Sequence, residues 1–99
     1  MNEDYETGDM PPLPVMRSDL QLFRGAEGDD GSPMWMLFDP LRNKYFQLHL
    51  RGLRVLRHWR AGARPEDVAA AAADHGVEID ADDVVGMARF LLANGLTES

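Results

Sequence analysis

GSPMWMLFDPLRNKYFQLHL, residues 31–50, is the stretch that decides the fold. It holds Trp35, Tyr45, Phe38 and Phe46. Two apolar runs, Met34–Phe38 and Tyr45–Leu50, flank the polar segment Asp39-Pro40-Leu41-Arg42-Asn43-Lys44. Aromatic and branched runs bounded by Asp, Pro and Asn predict two antiparallel strands and their turn. Pro40 fixes its own φ and pushes Asp39 towards an extended conformation, so the first strand stops there. In the return strand Tyr45 and Gln47 share one face, and Phe46 and Leu48 share the other, which is the face to bury. Met34–Phe38 is apolar on both faces. That pattern suits a central strand covered on both sides, or one with a face on the core and a face offered to something else.

Upstream, residues 1–14 read as an acidic tail bearing Pro11, Pro12 and Pro14, with little apolar surface to bury. The domain proper is then residues 15–99. Asp19–Arg24 alternates, with Leu20 and Leu22 on one face, and predicts a short strand. Gly25–Pro33 reads as an acidic loop.

Downstream, three helices are expected. The first begins around His49 or Leu50 and gathers Gly52, Leu53, Val55, Leu56 and Trp59 on one side. Arg51, Arg54, Arg57 and His58 gather on the other. Gly52 in mid-helix costs about 1 kcal/mol against alanine, which points to a close backbone approach to the sheet. Arg64-Pro65-Glu66-Asp67 opens the second helix, with Pro at the first helical position and acids at the positive end of the dipole. Gly76 stops it. Asp80 caps the third helix, with Asp82 and Asp83 in its first turn, and Asn94-Gly95 ends it. Its apolar stripe is Val84, Met87, Ala88, Leu91 and Leu92. Phe90 falls off that stripe and needs a partner. One core is expected from Trp35 or Leu37 with Phe46, Leu48, Leu53, Leu56, Trp59, Val84, Ala88 and Leu91.

Ninety-nine residues suffice for one domain. There are no cysteines, hence neither disulfides nor thiolate chemistry. No apolar run approaches the length of a membrane span. The opening MNEDYETGDM lacks the basic and apolar regions of a signal peptide, so a cytoplasmic location is expected. Net charge is −7, against a general nucleic-acid binder. Its distribution says more than its sum. Between Pro40 and Pro65 stand seven basic residues and no acid (Arg42, Lys44, Arg51, Arg54, Arg57, Arg60, Arg64). Such asymmetry suits a face that docks an acidic partner, although charge runs are often no more than solvated surface.

Catalytic and metal chemistry find little support. His49, His58 and His75 lack ligand spacing, and Ser18, Ser32 and Ser99 sit in no nucleophile elbow. Asp29-Asp30 and Asp80/Asp82/Asp83 lack the order of a calcium loop. Gly25, Gly28 and Gly31 do not lead directly into a helix, as a phosphate loop would. No catalytic residue, metal or cofactor is expected.

Three fragments carry a family resemblance: Pro14–Leu22 (PVMRSDLQL), Gly31–Leu48, and Ala88–Leu96 (ARFLLANGL). Within the middle one the specific parts are Gly31-Ser32-Pro33, Trp35, Asp39-Pro40, Arg42-Asn43 and Tyr45-Phe46. Over about Pro12–Leu96 the chain resembles the PqqD-like fold, the RiPP recognition element that binds leader peptides. It is most similar to the N-terminal cytosolic domain of bacterial site-2-type peptide zinc metallopeptidases. It departs from those enzymes in having no HExxH pair. The resemblance implies a small winged-helix-like α+β fold, a three-stranded antiparallel sheet followed by three helices. It implies a non-enzymatic module that captures a leader or substrate peptide as an added strand and presents it to a partner enzyme or adjoining domain.

Carried onto this chain, the peptide site is the strand Lys44, Tyr45, Phe46, Gln47 and Leu48 together with Asp83, Val84, Met87, Phe90 and Leu91 of the third helix. An edge strand supplies unpaired backbone groups, and a neighbouring helix supplies side-chain pockets. The basic docking face is Arg51, Arg54, Arg57 and His58. Neither nucleic acid nor membrane insertion is expected. Two other readings stand beside this one. The first is a winged-helix DNA-binding domain, disfavoured by Asp82 and Asp83 on the helix that would enter the groove. The second is an oligomerisation or docking domain of a larger membrane peptidase or secretion protein, including a homodimer through an edge strand or swapped elements.

Overall fold

The structure, a computed structural model, describes residues 11–27, 31 and 33–98. The hairpin is present. Strands β2 (Pro33–Asp39) and β3 (Lys44–Leu48) pair antiparallel, with Leu37 opposite Phe46 and Asp39 opposite Lys44. Their turn holds Asn43 in the left-handed region at φ 57°, a conformation its short polar side chain tolerates. Strand β1 (Gln21–Glu27) pairs with the other side of β2, so the order β1-β2-β3 leaves β1 and β3 as edges. Helices α1 (Leu50–Arg57), α2 (Pro65–Asp74) and α3 (Ala81–Ala93) follow. The molecule is therefore a three-stranded antiparallel sheet followed by three helices, an α+β fold. No helix among the described residues is long and apolar enough to cross a membrane.

The helix ends follow from the residues placed there. Asp80 accepts from the Asp83 N–H, and the Asp83 carboxylate accepts from the Asp80 N–H, a reciprocal capping box that opens α3. At its far end Leu96 donates to the Leu91 carbonyl and Gly95 to that of Leu92. With Gly95 at φ 69° this is a Schellman ending. Gly76 ends α2 in the same way.

Several expectations need correction. Residues 11–14 do not belong to a loose tail. Leu13 is buried, donates to the Ala63 carbonyl and accepts from the Gly62 N–H, while the Trp59 indole donates to the Pro14 carbonyl. One apolar side chain between prolines is enough to dock the segment, because it meets the gap between α1 and α2. The rest of the expected tail, residues 1–10, lies outside the described residues.

Gly25, Ala26 and Glu27 are strand, not loop, with a register shift between Arg24 and Glu27. Gly25 is there for room: a Cβ would come within 3.1 Å of Met36 Cγ. Of the remaining expected loop, residues 28–30 and 32 lie outside the described residues. Leu22 does not join Leu20 in the core. The helices pack on β2 and β3 and do not reach over β1, so Leu22 stays exposed.

The expected single core is two clusters. Leu37, Leu48, Leu91 and Leu96 form one under the sheet; Leu13, Val55, Val68, Ala72, Ile79, Val84 and Ala88 form the other between the helices. Trp59 and Met87 pack against both. Leu56 is only half-buried, and Val55 takes the fully buried place on α1.

A buried carboxylate ties the chain ends to the sheet. Asp39, with no exposed surface, accepts from both Arg17 Nη atoms (2.7 and 3.2 Å), from Arg42 Nη1 (3.3 Å) and from the Leu41 N–H (3.0 Å). Arg17 and Arg42 both donate onward to the Gly95 carbonyl. The Arg17 guanidinium above all, then the turn's backbone N–H groups, hold the Asp39 carboxyl down at about 2. In the sequence Asp39 marks a strand stop and part of the resemblance; nothing local shows that Arg17 comes back to meet it.

Candidate functional site

Strand β3 pairs with β2 on one side only, so its outer edge is free among the described residues. Helix α3 packs on α1 and α2 and meets the sheet through single side chains rather than along its length. Phe90 touches Phe46 edge to face, with centroids 5.3 Å apart and planes at 89°. The gap left between the end of β3, α1 and α3 is an open depression of about 300 Å³. Leu48, Gly52, Val55, Met87 and Phe90 give it apolar walls, and Gln47, His49, Arg51 and Asp83 rim it.

Gly52 sets the width of this gap. A Cβ there would stand 3.3 Å from Met87 Cε and 3.8 Å from Leu48 Cδ2. The close neighbour is thus a side chain of α3 first and the sheet second. On the rim, Arg51 Nη1 lies 2.7 Å from Asp83 Oδ2, bridging α1 to α3. The Asp80 N–H and then Arg51 hold the Asp83 carboxylate below its ordinary range. Asp83 Oδ2 therefore serves both the cap and the bridge.

Of the ten residues expected at a peptide site, the depression gathers Gln47, Leu48, Asp83, Met87 and Phe90. Phe46 supports Phe90 from beneath, and Lys44 is exposed at the start of the edge strand. Val84 and Leu91 are not among its lining residues; both have no exposed surface and sit in the clusters behind it. Tyr45 points to the opposite face of the sheet, stacked on Phe38 at 4.5 Å and meeting Phe23 edge to face. It offers this side of the strand only its backbone. His49, Arg51, Gly52 and Val55 line the depression without having been expected there. A glycine inside a strong amphipathic helix was the one signal for them.

The expected basic face divides. Arg54 and Arg57 are exposed, with the Arg57 guanidinium 5.9 Å from the Trp35 ring centre. Arg51 is held by Asp83, and His58 turns towards His75, ring centres 5.7 Å apart. No cluster of three or more His, Cys, Asp or Glu able to hold a metal occurs among the described residues.

Comparison with protein-family models, with characterised proteins and with solved structures gives no match to this chain.

Proposed function

We propose that this domain is a non-enzymatic peptide-binding module of PqqD-like, winged-helix type. An extended leader or substrate peptide adds as a strand to the free edge of β3 and is handed to a partner enzyme or adjoining domain. The observation that carries the reading is the free β3 edge ending beside an apolar depression walled by α3. Backbone groups of an added strand find partners along the edge, and one of its alternate side chains enters the depression. An apolar wall with few polar groups at the rim is the usual make-up of a site that binds by burial.

The fragments that carry the resemblance lie apart in sequence. They contribute Arg17, Asp39, Arg42, Asn94 and Gly95, and these meet in the single knot around Asp39. That knot fixes the turn before β3 to the end of α3.

The test is selection of binders from a displayed random-peptide library. The reading expects binders that lose affinity on Phe90→Ala and Met87→Ala and retain it on Tyr45→Ala. Failure to select any peptide sensitive to Phe90 or Met87 would overturn it.

A further inference from the structure

The ridge Arg54, Arg57, Arg60 carries an inference independent of the groove. Acids outnumber bases seventeen to ten in this chain, so its arginines have no shortage of possible partners. The fold uses several: Arg17 and Arg42 meet Asp39, Arg51 meets Asp83, and Arg64 meets Glu66. Arg54, Arg57 and Arg60 are exposed and form no ion pair among the described residues. Residues three apart on a helix are neighbours, so Arg54 and Arg57 stand side by side on α1, and Arg60 follows just past its end. Arg57 is also steadied on the Trp35 ring, which lowers the entropy lost when it engages a partner. Among the described residues, the acids that form ion pairs do so with other basic groups and leave this run of guanidinium groups without one.

We infer that this ridge docks an acidic protein surface, one presenting two or three carboxylates along a helix or strand. Guanidinium and carboxylate match as paired donors and acceptors. Net charge separates this partner from other polyanions. A DNA duplex or an anionic bilayer is extended and meets the surplus negative charge of the whole domain, whereas a local acidic patch meets only the ridge.

The experiment titrates the full chain with a short glutamate-rich peptide, a short DNA duplex, and phosphatidylcholine vesicles doped with phosphatidylserine. Binding is followed by amide chemical shifts at about 20 mM and about 200 mM salt. The expected result is peptide-induced shifts confined to residues 54–60 and weakened by salt. Affinity should fall at least about tenfold in Arg54→Glu/Arg57→Glu and stay unchanged in folded Phe90→Ala, whose side chain lies in the groove and not on the ridge. Both arginines are exposed, and an unchanged melting temperature confirms that the double variant is folded. No peptide-induced shift at the lower salt overturns the inference. So do shifts centred elsewhere, or binding of the duplex or the vesicles at least as tight as that of the peptide.

Discussion

Phe90→Ala separates a binding role from a packing role, because the structure gives this ring both. Phe90 is half-buried, leans edge to face on Phe46 and forms one wall of the depression. Truncating a fully buried phenylalanine costs about 3–5 kcal/mol. Phe90 keeps part of its surface in water, so its share is smaller. The edge-to-face pair contributes about 0.5–1.5 kcal/mol beyond area burial, and with the partial burial the expected loss of stability is about 1–3 kcal/mol. A domain of ordinary stability, about 5–15 kcal/mol, remains almost wholly folded after such a loss. Peptide affinity is expected to fall by about 1–3 kcal/mol, roughly five- to 150-fold. The assay is a urea titration and a peptide titration on the same preparation, with Leu91→Ala as the control. Leu91 is fully buried behind the wall, so its truncation is expected to cost about 2–5 kcal/mol of stability while the folded fraction binds with nearly unchanged affinity. Unchanged affinity in Phe90→Ala, with a stability loss as large as that of Leu91→Ala, would refute the reasoning and make Phe90 a core residue only.

Other consequences are as direct. Asp39 titrates at about 2 in the folded state, against about 3.9 in an unfolded chain. Because the folded value is the lower one, its contribution to stability is complete above about pH 4 and is lost as pH falls towards about 2. Urea midpoints should drop across that window in the wild type. In Asp39→Asn the protein should be less stable at neutral pH and the drop shallower; an equally steep drop would show that other carboxylates set the acid limit. Gly95→Ala places a side chain at φ 69°, 2.6 Å from Arg42 Nη1, and should cost at least about 1–2 kcal/mol from backbone strain alone. A loss near zero in a thermal melt would contradict the geometry at that corner. Gly52→Ala gains about 1 kcal/mol of helix propensity, and its one tight contact is the flexible end of Met87, so stability should hold or rise slightly. Peptide affinity should fall because the new methyl occupies the depression; unchanged affinity would move the site elsewhere.

The elements legible in the sequence are those set by local rules. Aromatic and branched runs bounded by turn residues, Pro40, Pro65 and the Asp80 cap place β2, β3, α2 and α3 within a residue or two. Features that depend on tertiary contacts were not legible. Leu13 looks isolated between prolines until the gap between α1 and α2 receives it. Gly25 looks like a loop residue until Met36 is seen beside it. At the candidate site, the family resemblance, not periodicity, named Met87 and Phe90, and both line the depression. It also named Val84 and Leu91, which the fold buries, the first between the helices and the second under the sheet. Arg51 looked like a free cation because its partner, Asp83, lies thirty-two residues away. Charge pattern predicts a basic face; only the fold shows which of its members are already taken.

The central claim is that the β3 edge receives an added strand beside α3, and backbone NMR of the domain bound to a selected peptide tests it. The expected result is slowed amide exchange at the free edge of Tyr45–Leu48, short backbone contacts between that edge and the peptide, and peptide side-chain contacts to Met87 and Phe90. Protection and contacts that fall on β1 or on the Phe23–Tyr45 face, with β3 amides exchanging as fast as in the free protein, would contradict it.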